Sequence, residues 1–291
     1  MVEHDGVDHG AYTSLIEAED DARWAFGTGF DDPLTGIDTT GPDGVDPAAL
    51  AKYCLMLGDD ALVLAQRLAE WTTRAPEIEE EVALANIALD LLGQARMLLA
   101  RAAAADPTIV PALPDGSPVP PDDRLAYFRD VGDVRNVHLV EQPNGDFAAT
   151  MARLLVFSAW RLALLDHLRT ADDPVLAAVA EKGVKEVRYH REHAARWVVT
   201  LARGTDVSRQ RMIAGLAVVW PDVAELRATE PPEAFDDAMS TIEQVLDTAG
   251  LDRPDVVAAP GGGRDGIHTE SFPALLDEMQ GLARAHPLGR W

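Results

Sequence analysis

Glu186, His190 and His193 are the residues in this chain whose types and spacing most suggest chemistry. They lie in "EVRYHREHAARW". Helical steps of about 100° put Glu186, His190, His193 and Trp197 within roughly 60° of one another on one helix face. Carboxylates and imidazoles gathered on facing helices are what a helix bundle uses to hold a pair of iron ions. Such a site takes a Glu from each of two helices and Glu-x-x-His from each of two others. Two further segments carry polar groups into apolar helices. Asp59 and Asp60 interrupt a leucine-rich run, and Asn86, Asp90 and Gln94 form a stripe at i, i+4 and i+8.

The full ligand set is missing. No Glu has a His three residues later, and among aspartates only Asp265 does, with His268, in a Gly-rich stretch. Asp90 stands three residues before Gly93, which supplies no ligand. Three readings remain. Asp60, Asp90, His190 and His193 form a divergent metal site, they are buried polar groups that bond one another and fix helix register, or they contact a partner. The absent motif favours the second.

The elements that would position these groups are helices. Asp46 followed by Pro47 is a start signal, a side-chain cap and then proline at the first helical position. Leu50, Cys54, Leu57, Ala61, Leu64 and Leu68 continue it at steps of four and three. The spacing predicts a first helix ending before Pro76, and a second over 77–104 with glutamates in its first turns and arginines near its end, as the helix dipole favours. The short link makes these two an antiparallel hairpin. A proline-rich connection spans 106–145. Long helices follow over 146–168 and 174–203, then shorter ones over 207–228, 233–249 and 270–285. "PGGGRDG" at 260–266 reads as a flexible or tightly turned loop, without the Lys-Ser/Thr of a phosphate-binding loop. The fold class is all-α: four long helices with additional C-terminal helices, in one domain over 46–291. Residues 1–45 form an extension lying on the domain or on a partner. It has one short helix near Tyr12–Trp24 and an apolar set, Trp24, Phe26 and Phe30, that needs a docking place.

Composition excludes several classes. There are 49 acids against 25 bases, a net charge of −24. That disfavours nucleic acid as a partner and this chain as the main cradle of an anionic cofactor. Within that acidic background, 182–211 holds eight basic residues against three acidic ones. Arg188, Arg191 and Arg196 there are candidates for contact with an acidic partner, set against ordinary pairing along a solvated helix face. The single cysteine, Cys54, lies on an apolar stripe and reads as core rather than nucleophile. It cannot form an internal disulfide, which fits a cytoplasmic location. No uncharged apolar run of about 18 residues suggests a membrane span.

Five blocks, in order, carry a resemblance: "YCLMLGDDALVLAQRLAEW", "EEVALANIALDLLGQARMLL", "LVEQPNGDFA", "EVRYHREHAARWVVTLARGT" and "GGGRDGIHTESFPALLDEMQ". From about residue 50 to the C-terminus the chain resembles the C subunits of bacterial phenylacetyl-CoA epoxidases. The resemblance implies a ferritin-like fold and membership of a multicomponent oxygenase that converts phenylacetyl-CoA to its ring 1,2-epoxide in phenylacetate breakdown. It places the di-iron centre and most of the acyl-CoA pocket in a related A subunit, with a small B subunit and a reductase making up the rest of the system. It makes this chain a structural subunit with no catalytic residue and no cofactor of its own. A divergent di-iron oxygenase and a free-standing helical binding protein are the alternatives.

Overall fold

The structure is a computed structural model, and it describes residues 33–42, 44–229 and 231–289. The helix expected near Tyr12–Trp24, and Trp24, Phe26 and Phe30 with it, lie outside the described residues.

Four long helices form the core. They are α1 (Pro47–Ala69), α2 (Ile78–Ala105), α5 (Phe147–Leu168) and α6 (Pro174–Arg203). Three begin with the same device. Asp46, Asp146 and Asp173 cap α1, α5 and α6, accepting from the backbone N–H of Ala48, Ala149 and Leu176. Every neighbouring pair is antiparallel. Gly58 of α1 faces Leu98 and Leu99 of α2. Gln94 of α2 bonds Glu186 of α6, while Glu80 bonds Trp197. Phe147 of α5 packs edge-on against Trp197 of α6, with ring centroids 5.0 Å apart. It follows that α2 and α5, consecutive long helices, run parallel. The chain must therefore return along the bundle between them, which is why 106–146 is long. One long crossover between two helical hairpins is the ferritin-like topology.

That crossover holds α3 (Pro121–Tyr127) and α4 (His138–Glu141). After α6 come α7 (Asp206–Val219), α8 (Glu233–Ala249) and α9 (Phe272–Ala285). The helix expected over 207–228 is split. Beyond Val219 the chain tightens into a 3-10 segment, Trp220–Ala228, where Pro221 removes a backbone donor and crowds the preceding turn. Helix α1 also stops short of Pro76, at Ala69, as Trp71 turns inward to donate its indole N–H to Thr150. α7 packs on α5 so closely that a Cβ on Gly215 would sit 2.8 Å from the Ala149 backbone.

Two helices, Ile78–Ala105 and Phe147–Leu168, are long and apolar enough to cross a membrane by length and composition. α5 is almost wholly enclosed by the bundle. Far more of α2 is exposed.

Candidate functional site

A ferritin-like bundle collects metal ligands where its four long helices face each other. In this protein an arginine stands there. Arg161, on α5, is fully buried. Its Nη1 donates to the Leu57 carbonyl of α1 at 3.1 Å. Its Nε and Nη2 reach Gln94 Oε1 of α2 at 3.4 and 3.3 Å. The Gln94 amide then donates to Glu186 Oε2 of α6 at 3.1 Å. One group from each long helix thus joins a chain of hydrogen bonds centred on a guanidinium. Burial pushes the Arg161 pKa down to about 10, with Asp60 and Tyr53 holding it up, so it stays charged at neutral pH.

Asp59 and Asp60 each have their own arginine. Asp60 is fully buried and takes both ends of Arg264, with Nη1 to Oδ1 at 2.9 Å and Nη2 to Oδ2 at 2.7 Å. It also accepts from the Val137 N–H at 2.9 Å. Burial raises its pKa, against the pull of Arg264 and Val137. Asp59 pairs with Arg129 and accepts from the Arg135 N–H.

Arg264 comes from the Gly-rich stretch, which is a tightly turned clasp rather than a flexible loop, with Gly263 and Arg264 buried. The N–H groups of Gly262 and Gly263 both donate to Glu225 Oε1, at 2.9 and 2.8 Å. Gly263 passes so near the start of α4 that a Cβ there would lie 2.0 Å from the Asn136 carbonyl oxygen. Just beyond, Glu141 accepts from Asn136 and the Thr269 N–H and lies 2.5 Å from His268 Nδ1.

The four candidate metal residues are therefore not brought together as one set, although Asp90 and His190 meet. Asp60 belongs to Arg264. His190 is buried and bonds Asp90 Oδ2 at 2.9 Å, joining α6 to α2. His193 Nε2 lies 3.2 Å from Glu80 Oε2, out of line for a hydrogen bond, and that oxygen accepts from Trp197 at 2.7 Å. Burial lowers the His193 pKa, so the ring is neutral near pH 7. Among the described residues no group of three or more His, Cys, Asp or Glu is arranged to hold a metal ion. The residues present do not fit a di-iron centre. Of the four groups the long helices bring here, three are an amide, a carbonyl and a cation, and only Glu186 is a carboxylate.

The basic stretch also resolves. Lys182 and Lys185 pair along α6 with Glu186 and Glu181. Arg209 donates to the Ala202 and Gly250 carbonyls. Arg188 and Arg196 are exposed and Arg191 partly so, with Arg196 Nε 3.4 Å from the Glu192 carbonyl. Cys54 is wholly buried, and burial pushes its thiol up to about 12. It is a core residue.

Sequence reasoning missed Arg161 and Arg264. The signal for Arg161 was a single arginine inside "FSAWRLALL", a helix apolar all round. A search for ligands looks for acids and histidines and passes over it.

Residues 38–291 match the model of the family described as phenylacetic acid catabolic protein. The chain is also similar to the C subunit of 1,2-phenylacetyl-CoA epoxidase from Escherichia coli (strain K12). The two are 40% identical over 256 residues, which cover 83% of this chain and 99% of the relative.

Proposed function

The chain belongs to the phenylacetic acid catabolic protein family, and from that premise we propose that it is the C-type structural component of a phenylacetyl-CoA epoxidase. It pairs with an A-type subunit that carries the di-iron centre and performs the oxygen-dependent 1,2-epoxidation of the ring. The small B subunit and the reductase make up the rest of the cytoplasmic complex. The chain itself supplies helical surface, not reacting groups.

The observation that carries this reading is Arg161. A divalent cation about 5 Å from a guanidinium would be repelled by roughly 7 kcal/mol at an effective dielectric of 20. The groups around Arg161 offer too few carboxylates to offset that. A bundle holding a fixed positive charge at its centre is built to do without a metal there.

The test is to purify the chain alone and co-expressed with the A-type subunit, then assay iron, and epoxide formation with the reductase, its electron donor and oxygen supplied. We expect iron and turnover in the complex, and neither in the lone chain. Stoichiometric iron with turnover in the lone chain overturns the reading.

A further inference from the structure

The side of α2 turned away from the bundle is apolar. Ile78, Val82, Leu89 and Leu92 are all exposed there, Ile78 by 74%. Their steps of four, seven and three follow the period at which one helix packs along another. Beside them Gly93 opens onto space, since a Cβ would meet nothing within 4 Å. Leu89 and Leu92 line a groove of about 400 Å³ whose far wall includes Tyr127 and Met279. Tyr127 and Met279 also wall a second cavity of about 550 Å³, together with Phe128 and Leu282. Leu282, on α9, is itself 61% exposed. Stripe, groove and cavity make one continuous apolar surface, of the kind that marks a docking face.

The cavity holds one acid. Asp123 lines it. Burial, with Asp122 adding repulsion and Arg96 opposing both, pushes its carboxyl up to about 6. Asp122 has Arg96 at 3.4 Å, whereas Asp123 makes no hydrogen bond or ion pair within the described residues. His286 lines the cavity too, among walls that are otherwise mostly apolar. A half-buried carboxylate in such a cavity is a socket for a cation supplied from outside.

We infer that this face docks a partner subunit, which lays an amphipathic helix along α2 and brings a basic side chain to Asp123. The inference rests on the reading that the chain works as the non-catalytic half of a pair. Charge selects the occupant. Glu79 and Glu278 flank the surface on α2 and α9 and are exposed. A second copy, also of net charge −24, would set acid against acid. An anionic lipid surface meets the same repulsion.

The test uses the full chain with its A-type subunit, measuring affinity by calorimetry and protection by hydrogen exchange. The variants are Leu89→Glu/Leu92→Glu, Asp123→Lys, and Arg188→Glu/Arg191→Glu on α6, each checked for an unchanged helical spectrum. We expect losses of at least 100-fold and 30-fold for the first two and less than threefold for the third. New protection should appear over 78–92 and 279–285 only in the complex. If the wild type pairs but the first two variants pair equally well, this inference falls and the proposed function stands. If the wild type fails to pair, the proposed function falls and this inference with it. Protection of α2 in the isolated chain that is lost on dilution or on removing residues 1–32 overturns the inference. So does binding of the wild type, but not of Leu89→Glu/Leu92→Glu, to phosphatidylcholine vesicles.

Discussion

Replacing Arg264 by methionine tests whether Asp60 is a structural charge or a latent ligand. Asp60 has no exposed surface, and the Arg264 side chain only 9%. Arg264 also donates to the Met56 and Arg135 carbonyls and to Thr229 Oγ1. Removing one partner of a buried pair leaves a buried charge uncompensated and costs about 3–5 kcal/mol. Unfolding entropy near 2.1 cal/mol/K per residue scales to about 0.6 kcal/mol/K for 291 residues, so about 4 kcal/mol lowers Tm by roughly 7 °C. The pH dependence has a definite sign. Burial already raises the Asp60 pKa in the folded protein, and Arg264 opposes that rise. Without Arg264 the folded carboxyl takes up its proton at higher pH than the unfolded chain does. Stability bound to a raised carboxyl is present at low pH and lost as pH rises through the folded value. The deficit of Arg264→Met should therefore be larger at pH 8 than at pH 5. Urea denaturation at both values measures it. The double variant Asp60→Leu/Arg264→Met should recover at least about 2 kcal/mol of the summed single losses, since an apolar pair carries no stranded charge. A loss under about 1 kcal/mol, a deficit that grows on acidification, or iron bound by Arg264→Met would refute the reasoning.

Gly263→Ala puts a methyl against the Asn136 carbonyl, so the clasp must shift and release Arg264. It should destabilise by more than about 3 kcal/mol in thermal melts, and add little in an Arg264→Met background, because both break one contact. Cys54 should not react with a thiol reagent at pH 8 in the folded chain, and should react fully once unfolded, because burial pushes its pKa to about 12. The His193 pKa lies below its ordinary value of 6.5 because the ring is buried. The unfolded chain therefore binds that proton first, and stability falls as pH drops below about 6.5. His193→Leu should flatten the fall, read as midpoint against pH.

The long helices were legible because their signals are local. Asp46, Asp146 and Asp173 announce helix starts, and the three-and-four spacing from Leu50 to Leu68 gives a face. The split after Val219 was also signalled, by Pro221, although the helix expected there ran on to 228. What could not be read was pairing at distance. Asp60 and Arg264 are 204 positions apart, and no periodicity connects them. Without Arg264, Asp60 looks like a stray ligand, and without Gln94 and Leu57, Arg161 looks like a misplaced surface residue. The stripe from Ile78 to Leu92 was hidden for another reason. An apolar residue covered by a partner and one covered by its own core read alike in sequence, and only the fold shows that these four face outward.

Arg161, Arg264 and Arg129 supply fixed positive charge inside this bundle. Where a metal site draws carboxylates from facing helices, those carboxylates repel each other until a cation arrives, so the metal is part of the fold. Here the cations are covalent. Arg264 and Arg129 neutralise Asp60 and Asp59, and Arg161 ties α1, α2 and α5 through neutral acceptors. On the proposed reading, stability is thereby uncoupled from iron supply, and the outer faces serve assembly. The exposed α2 stripe and Asp123 are groups on those faces open to a partner.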